Sequence, residues 1–196
     1  MDLCTIEDLR GVEGQETMGF VDSLKGSTKY DTLFATLITA VSRRFESFCN
    51  RTFEYNSAIT EYYSGNGERG YIYVKRPPIA TVTSIHDDVD RDFDSTTLVD
   101  ADYYVVFDDR VEMKYSAFTK GLKNIKIIYS GGYSTATLPA DIRLAAMMQV
   151  AFVFKRRADL GLVGISGEGG SISVQSPMKL LPEVEATLQP YKLWTL

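Results

Sequence analysis

From Asp31 onward the hydrophobic positions fall into a helical rhythm. Leu33, Phe34, Leu37, Ile38, Val41, Phe45 and Phe48 share one face of a helix that Asp31 can open and Asn50 can close. From about Ser57 to Tyr133 the period drops to two. In Arg110–Tyr115, the residues Val111, Met113 and Tyr115 alternate with Arg110, Glu112 and Lys114. This strand pairs with Tyr103–Phe107 across a short acidic turn at Asp108-Asp109. Further strands are expected at Thr60–Tyr63, Tyr71–Lys75, Ala80–His86 and Asn124–Tyr129. Pro77-Pro78 cannot occupy a central strand and marks a corner. The middle third therefore reads as a small antiparallel sheet or barrel.

Helical spacing returns at Pro139, a residue suited to a first helical turn. The stretch Leu144-Ala-Ala-Met-Met-Gln-Val-Ala-Phe-Val-Phe154 is apolar on nearly every side, interrupted by Gln149. Such a helix needs burial all round, more than 196 residues readily provide. It implies completion by copies of the chain or by a partner, with Met147, Met148, Phe152 and Phe154 divided between the chain's own core and that contact. The helix is expected to reach about Asp159 and stop at Gly161, with Lys155, Arg156 and Arg157 complementing its dipole. Residues 161–177, including Gly164, Gly167, Gly169 and Gly170, read as a flexible glycine-rich loop and a candidate docking arm. Pro182–Pro190 supplies a short closing helix. At the other end, Thr5 and Asp8 can form a capping box. The fold class is thus α+β: a helical bundle (helices near 31–50, 139–159 and 182–191) with an antiparallel β-insertion over 57–134, all within a single domain, 1–196.

Composition narrows the function. An apolar fraction of 44% and a charged fraction of 24% are ordinary for a globular protein. A net charge of −5 argues against holding DNA by phosphate neutralisation. Cys4 and Cys49 are too few for a disulfide framework, the acidic opening is no signal peptide, and the longest apolar run falls short of the roughly 20 residues of a membrane span. No membrane contact and a reducing cytoplasm are expected.

Catalysis has little to work with. His86 is the only histidine, and its neighbours Ser84, Asp87 and Asp88 are too local for a triad. Asp88, Asp90, Asp92 and Asp94 alternate as calcium-loop ligands do, but Phe93 and Val99 stand where that loop needs glycine and glutamate. A solvated, self-repelling loop is the better account of 87–94. Gly164–Gly170 follows a helix and lacks the closing Lys-Ser or Lys-Thr of a phosphate loop. The basic clusters Arg43-Arg44 and Lys155–Arg157 lie near helix ends. No catalytic residue, cofactor or metal site is expected.

The order Pro77-Pro-Ile-Ala-Thr-Val-Thr-Ser-Ile85, Asp102-Tyr-Tyr-Val-Val106, Asn124-Ile-Lys-Ile-Ile-Tyr-Ser-Gly-Gly-Tyr133 and Leu138-Pro-Ala-Asp-Ile-Arg143 resembles the head–tail connector proteins of tailed bacteriophages, also called head-completion or DNA-packaging adaptor proteins. Arg43-Arg44-Phe45 and Asn50-Arg51-Thr52-Phe53 match the way that family's first helix leads into its sheet. The resemblance covers roughly residues 30 to 192. It implies a structural virion protein without catalytic residues, made in the host bacterial cytoplasm. It also implies a homo-oligomeric ring of about a dozen copies, docked on the portal protein at the head–tail interface. Such a ring extends the channel for double-stranded DNA and receives a neck or tail-completion protein. An acidic surface suits a channel in which DNA slides without sticking. Two alternatives stand beside it: a tail-completion or other virion structural protein, and a small ligand-binding or enzymatic β-module.

Overall fold

The computed structural model describes residues 1–11, 20–21, 27–157, 164–167, 170–173 and 179–193. The chain divides into two units, one formed by Met1–Asn50 with Thr137–Leu196, the other by Arg51–Ala136. Helices and antiparallel sheets are both present, as an α+β protein requires.

In the first unit, Thr5 and Asp8 cap α1 (Ile6–Arg10) reciprocally, each side chain accepting the other's backbone N–H at 3.2 and 2.8 Å. The spacing of Phe34, Ile38, Val41, Phe45 and Cys49 puts all five on the buried face of α2 (Asp31–Cys49). Leu33, expected on that face, is turned outward. Tyr30, not Asp31, is the N-cap of α2. Asp31 lies one position further in, where its carboxylate meets Arg10 Nη1 at 2.7 Å and faces the positive end of the helix dipole. Asn50 closes α2 in the left-handed region (φ 52°, ψ 37°), its N–H reaching back to Glu46 O. α3 spans Ala140–Lys155, with Pro139 just outside the first turn as its N-cap. α4 (Pro182–Leu188) runs on into a single 3-10 turn, Gln189–Tyr191.

The second unit holds β1 (Asn56–Gly65), β2 (Tyr71–Tyr73), β3 (Ile79–Asp87), β4 (Tyr104–Val106), β5 (Arg110–Met113) and β6 (Gly121–Gly131). The expected single sheet or barrel is instead two antiparallel three-stranded sheets, ordered β1-β6-β3 and β2-β5-β4. They share one core of Ile59, Val74, Ile79, Ile85, Val111, Phe118, Ile125, Ile127 and Tyr129. Burial of both faces' alternate positions supplies the main driving force for this unit. Pro77-Pro78, joined by a cis peptide bond, separates β2 from β3 at the expected corner. Just before it, Lys75 N donates to buried Glu61 Oε2 and Arg76 N to the Tyr129 hydroxyl, at 3.1 and 3.2 Å. Burial pushes the phenols of Tyr63 and Tyr129 up, and the nearby Glu61 carboxylate adds to both shifts.

Gly131-Gly132 is where the returning chain crosses its neighbours. Gly132 adopts φ +94°, and a Cβ there would lie 2.5 Å from Glu54 O. Past it, Tyr133 N donates to Phe53 O and Tyr55 N to Tyr133 O, a short parallel bridge.

Candidate functional site

The residues available for contact with another molecule are those the fold leaves exposed. On α3, a turn of about 100° per residue separates two aromatic rings that sequence grouped together. Phe154 faces inward, its ring centroid 4.6 Å from that of Phe34 and 5.3 Å from that of Tyr30. Arg157 lies over the same ring at 4.2 Å. Of the four residues expected to be divided between core and contact, Phe154 belongs to the chain's own core. Met147, Met148 and Phe152 are half-buried, and Leu144 is 48% exposed. Leu144, Met148 and Phe152 recur every four residues, so they form one partly exposed apolar stripe.

Gln149, which interrupts the apolar run, is 1% exposed. Its amide donates to Lys179 O at 3.1 Å and accepts from Leu181 N at 3.0 Å. The one polar group of this stretch thus fixes the lead into α4. Its place in an otherwise apolar run was the signal for it, since a polar side chain there needs a partner.

Gly164, Gly167 and Gly170 lie in two paired strands, β7 (Gly164–Gly167) and β8 (Gly170–Ser173), with Ile165 opposite Ile172. Gly169 and most of the rest of 161–177 lie outside the described residues.

The acidic run 87–94 is organised around Asp88. Its carboxylate accepts the N–H groups of Phe93 at 2.7 Å and Asp90 at 2.9 Å. Those bonds, that from Phe93 foremost, hold its pKa below the usual carboxylate range. The expected solvated loop is exposed at Asp90, Asp92 and Asp94, but it is also tied together by the carboxylate of the buried Asp88. Among the described residues no group of three or more His, Cys, Asp or Glu is arranged to hold a metal ion. His86 Nδ1 donates to Asp94 O at 3.1 Å and lies 3.4 Å from the Thr97 hydroxyl. Among the described residues no helix is long and apolar enough to cross a membrane.

Sequence reasoning missed one surface. Strand register puts Tyr73, Arg110 and Phe107 in one row across sheet β2-β5-β4, and Tyr71, Glu112 and Val105 in the next. All six point away from the core side occupied by Ile72, Val111 and Met113. The Arg110 guanidinium lies 4.3 Å from the Phe107 ring centroid and 5.9 Å from that of Tyr73. Tyr71, Tyr73, Val105 and Phe107 are exposed. Tyrosine, phenylalanine and arginine are the residues that protein interfaces concentrate. The period-two alternation of Tyr71-Ile72-Tyr73 was the available signal.

The head completion protein family model matches residues 21–194, and the chain belongs to that family. Its fold is also that of solved neck chains. A chain in the neck of a native gene transfer agent (GTA) particle, computed with C12 symmetry, matches with a TM-score of 0.54 and 16% identity, covering 90% of this chain and 87% of that one. A chain in the neck of an empty GTA particle, computed with C6 symmetry, matches with a TM-score of 0.53 and 15% identity, over 90% and 88%. At such identities the likeness is one of fold. No curated protein matches the chain by sequence.

Proposed function

We propose that the chain is a structural component of the virion neck, a ring-forming head–tail connector. Membership of the head completion family over residues 21–194 carries this reading. The fold shared with chains of GTA necks supports the location. The C12 symmetry of one of those necks supports a closed ring of about a dozen copies. In this reading the helices form a bundle into which the β-unit is inserted, and the ring docks on the portal. The ring continues the channel for double-stranded DNA and presents a surface to the next neck or tail protein.

The partly exposed stripe Leu144, Met148 and Phe152, with Met147 beside it, is the helical part of the subunit contact. The glycine-rich hairpin β7–β8 is the docking arm. The role is structural, with no chemical step. Deleting the gene from the element that encodes it should leave heads that fill with DNA but carry no tail. Normally tailed, infectious or transducing particles from the deletion would refute the proposal.

A further inference from the structure

Sheet β2-β5-β4 is open on both sides, and its two edges match. Within the β4–β5 ladder, Phe107 N donates to Arg110 O and Lys114 N to Tyr103 O. Antiparallel pairing alternates, so Tyr103, Val105 and Phe107 turn their main chain toward β5 while Tyr104 and Val106 turn theirs away. On the other side, Met113 N donates to Gly70 O and Val74 N to Asp109 O. Gly70, Ile72 and Val74 therefore face β5, and the N–H and C=O groups of Tyr71 and Tyr73 face away. Among the described residues no strand pairs with either outward row.

Soluble proteins blunt such edges with lysine, proline, bulges or short strands, and of these only the last applies here, at three residues per edge. Neither Tyr104–Val106 nor Tyr71–Tyr73 contains a charge or a proline, and Val105, Val106, Tyr71 and Tyr73 are each at least 40% exposed. An extended strand completes an open ladder through its own main-chain groups. The chain carries a suitable one on the opposite edge of the same sheet, of the same length and with the same two-residue spacing of outward groups. β2 and β4 both run antiparallel to β5, so they are parallel to each other. A copy displaced sideways along the sheet presents its β2 to the β4 of the first as a parallel pair.

We infer that β4 of one subunit adds to β2 of the next, continuing the sheet from copy to copy. The contact joins two different surfaces, the head-to-tail kind that closes rings. It rests on the ring reading above and says which surface makes the ring. The exposed row of Tyr73, Arg110 and Phe107 then becomes part of a belt that runs unbroken across subunits.

Val106→Pro tests it. The Val106 N–H points outward, so proline there leaves the ladder to β5 intact while removing a donor the neighbour needs. The variant should fold, with circular dichroism and an unfolding midpoint close to those of the unaltered chain, and should form no rings. Tyr73→Pro should do the same from the opposite edge. In rings of the unaltered chain, amide exchange at Tyr71, Tyr73, Tyr104 and Val106 should be slower than in the free chain. This measurement decides the matter even if both proline variants misfold.

Val106→Pro rings of native size, fast exchange of those amides in native rings, or dimers joined β4 to β4 would each overturn the edge pairing. Rings whose edges stay unprotected sink the pairing alone. Absence of any ring from the unaltered chain sinks the ring reading with it.

Discussion

Phe152 and Phe154 sit two residues apart on α3, yet truncating them should have opposite consequences. Phe154 is 4% exposed and packs against Phe34 and Tyr30. Phe154→Ala removes a buried ring, leaves a cavity and breaks two aromatic contacts, for a loss of about 3–5 kcal/mol. That is a large share of a domain stability of about 5–15 kcal/mol. At about 2–4 °C per kcal/mol for a chain of this size, the melting midpoint should fall by roughly 10 °C. Phe152 is half-buried. Phe152→Ala removes a smaller transfer term and opens no closed cavity, for about 1–2 kcal/mol. Urea unfolding of both variants, followed by far-UV circular dichroism, gives the two numbers, and light scattering gives their assembly states. Phe154→Ala should be unstable as a single chain, whereas Phe152→Ala should stay folded and assemble poorly. Equal destabilisation of the single chain by the two substitutions would refute the division of α3 into a core face and a contact face.

Three further outcomes are expected. Gln149→Ala strands Lys179 O and Leu181 N, at a cost of about 2–4 kcal/mol, and should speed amide exchange in α4. A loss within 0.5 kcal/mol, on the order of an ordinary surface change, would contradict that anchoring. Gly132→Ala forces a Cβ onto Glu54 O at φ +94° and should cost about 1–3 kcal/mol, measured by thermal unfolding; an unchanged midpoint counts against so close a crossing at Gly132. The Asp88 carboxyl, held low by the Phe93 N–H, supports its loop at pH values above the ordinary carboxylate pKa of about 3.9. That support is lost as pH falls through the lower folded value. An NMR titration placing Asp88 at or above about 3.9 would remove it.

Periodicity reveals whatever is decided within a few turns of chain. The face of α2, the Thr5–Asp8 capping box and the β4–β5 hairpin were all legible because neighbours in sequence determine them. The ends of β1 and β6 were not. Both strands run on to residues of poor strand propensity, Asn56 and Gly65 in one and Gly121 and Gly131 in the other, because pairing partners hold them there.

The split into two sheets depends on which distant strands meet, and no local pattern encodes that. On α3, composition could say that the helix lacks a polar face. It could not say that Gln149 is satisfied by the main chain before α4, or that Phe154 rather than Phe152 turns inward. The alternating aspartates of 87–94 suggested repulsion, whereas Asp88 gathers the loop's N–H groups around itself. The aromatic outer face of sheet β2-β5-β4 needed strand register before its six residues could be seen as one surface.

Closure of copies of this chain into a neck ring, as proposed, can be weighed and seen. The most direct test is particle mass by light scattering across a concentration series, with negative-stain images of the heaviest species, both alone and with isolated portal assemblies. Closed rings with a central hole, of about a dozen chains, are expected. A single-chain mass at every concentration, with no ring on the portal, would contradict it.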